Sequence, residues 1–143
     1  MRKKGLLIAV GLSFVFTMII YLSNYGTTFA QECRVVRIIG MEIHKSARIE
    51  PETLLVAKGD CVVWFNRAAA EEIKVTFEDA KKCVSVTNAP VGFSADSAGC
   101  YVTNWIPFGG TSSLRFMEKG TYGYVLEVKG MPGVKIKGQI EIK

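Results

Sequence analysis

Apolar and polar positions alternate three times in the last part of the chain, between Thr111 and Lys143. Ser112, Leu114 and Phe116 share one side. Tyr122, Tyr124, Leu126 and Val128 follow, and then Val134, Ile136, Ile140 and Ile142. A period of two places these residues on one face of a pleated strand, with Arg115, Glu127, Lys135, Lys137, Glu141 and Lys143 on the other. Gly120 separates the first two stretches. The cluster Gly130-Met131-Pro132-Gly133 separates the last two, and its proline cannot continue a central strand. These are the closing strands of a small β-sandwich, and the loop between the last two is the first place to look for chemistry.

Upstream, the pattern is again strand and turn. Cys33 to Ile39 reads as a strand ended by Gly40, and Thr53 to Ala57 as a second, followed by the turn Lys58-Gly59-Asp60. Cys61 to Phe65 is almost continuously apolar, which predicts a central strand covered on both faces. Glu72 to Phe77 alternates cleanly. The segment Glu78–Gly110 differs: it is rich in small and polar residues, has no sustained period, and holds Cys83 and Cys100. A loop of that length in a compact domain is functional or stapled down, and we expect a Cys83–Cys100 bridge to staple it. With no internal repeat and no long amphipathic helix, the fold class is all-β, with about seven or eight strands.

The first thirty residues are set apart from this pattern. Met1-Arg2-Lys3-Lys4 is basic, Gly5 to Leu22 is uncharged and apolar, and a short polar stretch ends at Ala30. That order is the layout of a secretory signal, with cleavage after Ala30. The apolar run is also just long enough to span a bilayer as an uncleaved anchor. Residues 31–143 then form one domain, exported to the periplasm or the cell exterior. Without Arg2, Lys3 and Lys4 the net charge of +5 falls to +2. Basic and acidic residues are interspersed along this part, with no basic run to follow a nucleic acid backbone.

All four cysteines, Cys33, Cys61, Cys83 and Cys100, lie in the exported part. An even number in an oxidising compartment reads as two disulfides, for which three connectivities exist. The rival reading is a thiolate metal site. It would have to draw on scattered ligands, because no Cys-x-x-Cys pair is present and His44 is the sole histidine.

Two runs carry a family resemblance. Ile49 to Asp60 followed by Val62-Val63-Trp64-Phe65-Asn66 resembles the opening of a cupredoxin domain. Phe116, Gly120-Thr121-Tyr122-Gly123-Tyr124 and Gly138-Gln139-Ile140-Glu141-Ile142 are similar to its closing strands. The resemblance spans roughly Cys33 to Lys143 and implies a Greek-key β-sandwich of two sheets. It also implies a Cys33–Cys61 pairing, since the cupredoxin topology sets the strands that begin there side by side. A blue-copper site needs two histidines and a cysteine, with a weak axial ligand. The position of the first histidine holds Glu72 and Ile73, that of the cysteine holds Leu126, and that of the second histidine holds Lys129. Met131 alone stands in the loop of the axial ligand. The scaffold is kept, the strong ligands are absent, and we expect neither metal nor other cofactor.

The expected function is a binding or assembly module at the cell envelope, its partner another envelope protein, with membrane contact only through an uncleaved N-terminal segment. The candidate surface is Phe93, Trp105 and Phe108 of the long segment with Lys129 and Met131 of the last loop, apolar groups beside an adaptable thioether. The alternative is a copper carrier or electron-transfer protein with an atypical site drawn from Cys83, Cys100, His44, Met117 and Met131. An immunoglobulin-like sandwich lacks its Cys…Trp…Cys spacing. Catalysis is not expected: there is no Gly-x-Ser-x-Gly turn, no phosphate-cradling loop and no partnered nucleophile.

Overall fold

Every alternating stretch of the sequence becomes a strand in the computed structural model, which describes residues 32–41, 46–69, 71–78, 86–97 and 99–143. The strands are β1 (Cys33–Met41), β2 (Ser46–Glu50), β3 (Thr53–Val56), β4 (Cys61–Arg67), β5 (Ile73–Phe77), β6 (Thr87–Val91), β7 (Phe93–Ala95), β8 (Tyr101–Thr103), β9 (Thr111–Phe116), β10 (Gly120–Val128) and β11 (Lys135–Ile142). They form two sheets, β2-β1-β4-β9-β6 and β3-β11-β10-β5-β8-β7. Most neighbours are antiparallel, but β1 lies parallel to β4 and β3 parallel to β11. A cis Glu50–Pro51 peptide joins β2 of the first sheet to β3 of the second. Gln31–Lys143 is one compact unit. The signal or anchor segment lies outside the described residues.

The fold class is the expected all-β sandwich, yet the strand number needs correction, with eleven strands among the described residues. Three of the additional ones, β6, β7 and β8, fall inside the segment read as a loop. Two of those have only three residues each, too few to show a period, and β6 contains Pro90. Pro90 is tolerated because β6 is an edge strand whose ladder with β9 shifts register between Asn88 and Val91. β2 was hidden by its polarity, with Ile49 its one fully buried side chain.

The core fills the space between the sheets. Val36 and Ile38, Val62 and Trp64, and Leu114 and Phe116 enter from one side; Val75, Phe77, Tyr124, Leu126, Ile140 and Ile142 enter from the other. Trp64 is central, edge-on to Phe77, Phe93 and Tyr124 at centroid distances of 5.7, 5.3 and 5.6 Å. Such edge-to-face pairs add roughly 0.5–1.5 kcal/mol each beyond the area they bury. β4 is central, as expected, but is covered on one face only. Cys61, Val63 and Phe65 point to the outer side and are half-exposed.

Cys33 and Cys61 face each other in the parallel β1–β4 ladder, with Cα atoms 4.6 Å apart, and are joined by a disulfide. β2 reaches β1 only from Arg37 onward, so the first residues of β1 are held by β4 alone. The bridge pins that loose edge across a sequence separation of 28. In the chain-entropy view, closing such a loop contributes about 3.6 kcal/mol. Cys61→Ser should therefore lower the unfolding free energy of residues 31–143 by that amount, read as a lower urea midpoint, and reductant should do the same to the unmodified protein. Unchanged midpoints in both experiments would mean that the strand pairing alone holds the edge. Cys100 is buried, with its N–H donating to Asp96 Oδ1 at 2.9 Å. Cys83, and with it the expected Cys83–Cys100 bridge, lies outside the described residues.

Candidate functional site

Three connections meet at the end of the sandwich where β4 and β10 finish: the β4–β5 turn, the β8–β9 loop and the β10–β11 loop. A buried side chain, Asn66, ties the first two together. Its Nδ2 donates to the carbonyls of Glu71 (2.8 Å) and Ile106 (2.9 Å), and its Oδ1 accepts from the Ala68 N–H (2.9 Å). Its own N–H donates to the Gly110 carbonyl, and its carbonyl accepts from the Gly109 N–H. A buried amide is stable only when its groups are paired, and here every one of them is. Ile73 and Ile106 add a two-way backbone bridge of 3.0 and 2.7 Å.

The third connection is fixed by continuing the β5–β10 ladder. Val128 pairs with Ile73, so the next residues outward, Lys129 and Glu72, also meet. The Lys129 N–H donates to the Glu72 carbonyl at 2.8 Å, and Lys129 Nζ lies 2.5 Å from Glu72 Oε2. Both side chains are about half exposed, so this ion pair contributes only roughly 0.2–1 kcal/mol. It positions more than it stabilises.

These are among the positions at which the sequence resemblance looked for copper ligands. Leu126 sits inside the ladder, fully buried among core side chains. Lys129 and Glu72 stand at its end as a cation and an anion satisfying each other. A trigonal blue-copper centre requires a thiolate and two imidazoles, and neither an apolar side chain nor an ammonium can donate to a metal. The residues present do not fit copper. Among the described residues no group of three or more His, Cys, Asp or Glu converges on a point. His44 lies outside the described residues.

Between Trp105 and the β10–β11 loop is a pocket of about 300 Å³, bordered by Trp105, Glu127, Lys129, Met131, Val134 and Lys135. The loop is shaped by two left-handed glycines, Gly130 (φ 84°) and Gly133 (φ 88°), which a residue with a Cβ would adopt only under strain. It is closed by the Met131 N–H to the Val128 carbonyl (3.1 Å) and the Val134 N–H to the Met131 carbonyl (3.2 Å). Met131 is half-buried and packs on the core, while Trp105, Phe108 and Val134 remain 39, 62 and 42 % exposed. Of the surface expected from sequence, Trp105, Lys129 and Met131 come together around the pocket. Phe108 sits on the same β8–β9 loop. Phe93 instead turns inward, against Trp64 and Tyr101. Asn66 was not singled out; the one sequence signal for it was a polar residue at an inward position of an apolar strand, two residues beyond Trp64.

No protein-family model and no curated protein matches the chain. Solved structures do. The Cu(I) form of one amicyanin mutant is 25% identical, with a TM-score of 0.51 over 81% of this chain and 87% of that one. The oxidised state of a second mutant is 25% identical, with a TM-score of 0.50 over 78% and 82%. The reduced state of a third is 23% identical, with a TM-score of 0.51 over 81% and 87%. Their likeness lies in the fold. The chain is a cupredoxin-like β-sandwich, with no metal-binding group among its described residues.

Proposed function

We propose that this is an exported, non-catalytic module of the cell envelope that binds a partner protein through the loop end of its sandwich. The observation that carries the reading is the exposure of Trp105 and Val134 at a pocket, and of Phe108 on the same loop as Trp105, with the loops already fastened by Asn66 and the Lys129–Glu72 contact. Exposed aromatic groups on a preorganised frame bind with little entropy left to lose. A Cys33–Cys61 disulfide suits an oxidising compartment.

Two measurements test the proposal. Residues 31–143, prepared from an oxidising compartment, are titrated with copper(I) and copper(II), and the visible spectrum is recorded. No stoichiometric binding and no intense charge-transfer band are expected; either would turn the reading into that of an atypical copper carrier. A photo-crosslinking residue is then placed at Phe108, at Val134 and, as a control, at Leu55 on edge strand β3, in the cells that make the protein. One discrete adduct from Phe108 and Val134, and none from Leu55, is the expected result. Equal labelling from all three sites would end the case for this surface.

A further inference from the structure

Basic residues are interspersed along the chain, but the fold sorts them by type. Arg34, Arg37, Arg48, Arg67 and Arg115, every arginine except Arg2, lie on strands of the β2-β1-β4-β9-β6 sheet, and those strands carry no lysine. The strands of the other sheet carry Lys74, Lys135 and Lys137 and no arginine. Glu50 is the one carboxylate on the strands of the arginine sheet, and it pairs with Arg48 at 3.5 Å.

Strand register arranges the outer face of that sheet in rows. Arg48, Ile39 and Arg67 form one, and Glu50, Arg37, Phe65 and Thr111 the next. Val35, Val63, Ser113 and Val91 follow, and then Cys33, Cys61, Arg115 and Asn88. The centre of the face is apolar, with Val35 41 % exposed beside the half-exposed Val63 and Phe65, and guanidinium groups stand around it. Arg37 and Arg67 are exposed and have no carboxylate within salt-bridge distance among the described residues.

We infer that this face lies against an anionic phospholipid surface. Guanidinium binds phosphate through paired hydrogen bonds and is weakly hydrated, so it sheds water more readily than ammonium does. An apolar centre with a cationic fringe matches the headgroup boundary, where hydrocarbon and phosphate adjoin. Charge complementarity selects this occupant, and the shallow apolar centre separates it from a purely acidic one. None of the residues in these rows lines the pocket, so the inference stands whether or not the loop end binds a protein.

The test uses residues 31–143, so that the apolar run before them contributes nothing. Flotation is measured with phosphatidylglycerol–phosphatidylcholine vesicles and with pure phosphatidylcholine vesicles, at physiological salt. Binding to the first and not the second is expected. Arg37→Gln/Arg67→Gln should lower partitioning about 25-fold, roughly five-fold for each cation removed. Lys74→Gln/Lys137→Gln, the same change in net charge on the opposite sheet, should stay within about two-fold, because screening at this salt extends only about 8 Å. All four positions are at the surface, and matching unfolding midpoints would verify that the variants fold. No binding by the unmodified protein overturns the inference, as would equal losses in the two double variants. Competition by soluble polyglutamate as effective as that by vesicles would also overturn it, assigning the face to an acidic protein.

Discussion

Gly138→Val should lower the stability of the domain by about 4 kcal/mol, although valine is the better strand former. Gly138 lies directly across from Tyr124 in the β10–β11 ladder, on the core side of the sheet. The tyrosine ring folds over it. A Cβ at this position would fall on Cζ and Oη of Tyr124 and within 2.8 Å of Cε2. The ring has nowhere to retreat, because it is fully buried and packs on Trp64 and Phe77 at 5.6 and 5.9 Å. Interiors are packed to crystal density, so the overlap must be relieved by moving a strand. Propensity alone would make the substitution neutral or favourable, and the sign of the change therefore decides between the two effects. Urea denaturation should show a lower midpoint at constant slope. Adding Tyr124→Leu should return more than about 1 kcal/mol of the loss, as coupled neighbours do. Additive losses would mean that the ring is not what excludes a side chain there.

Tyr124 carries a further tension. Its hydroxyl and the Trp64 indole N–H are both buried without a hydrogen-bond partner of good geometry. Burial pushes the phenol above its ordinary value, and the neighbouring Trp64 N–H offsets only part of this. An unpaired buried hydroxyl costs free energy that a phenyl ring does not. The bulk of the ring, then, is what the core needs from this position, and Gly138 is the space that admits it.

The strands that bury a full face were legible because each hides every second residue, and a period of two survives any detail of packing. Leu126 could be placed inside a strand and Lys129 just beyond its end for the same reason: register converts sequence distance into location. Legibility failed where an element is too short to show a period, as in Phe93–Ala95 and Tyr101–Thr103, or where its side chains stay mostly polar, as in Ser46–Glu50. It also failed across the sheets. Glu72 and Lys129 were each visible as departures from a copper ligand set. Their attraction appears only when β5 and β10 are laid side by side, 57 residues apart in sequence. The arginines were read as scattered through the chain, and only the order β2-β1-β4-β9 gathers them. Phe93 stood in a polar segment with nothing to show that the chain turns it toward Trp64.

Asn66→Ala should also cost about 4 kcal/mol, and the loss should be local in its first effects. The side chain makes three hydrogen bonds, and removing it leaves the Ala68 N–H and the Glu71 carbonyl without a partner, while the Ile106 carbonyl keeps only the Ile73 N–H. Each buried group left unpaired costs about 1–3 kcal/mol, less whatever water can enter to repair. Asn66→Asp separates hydrogen bonding from volume. An aspartate of nearly the same size keeps the Ala68 contact but turns acceptors toward two carbonyl oxygens, so at neutral pH it should do no better than alanine. Native-state hydrogen exchange would locate the damage. Faster exchange is expected first at the backbone amides of Ala68, Glu71 and Gly110, with the Trp105 emission shifting as its loop loosens. The β1–β4 ladder beside the Cys33–Cys61 bridge should remain protected. Uniform loss of protection over both ends would mean that Asn66 supports the whole sandwich and not the site. The proposed protein-binding surface depends on which outcome holds, because Trp105 and Phe108 can be a preorganised contact only if something buried fixes the loop that carries them. In this chain that fixed point is the amide of Asn66.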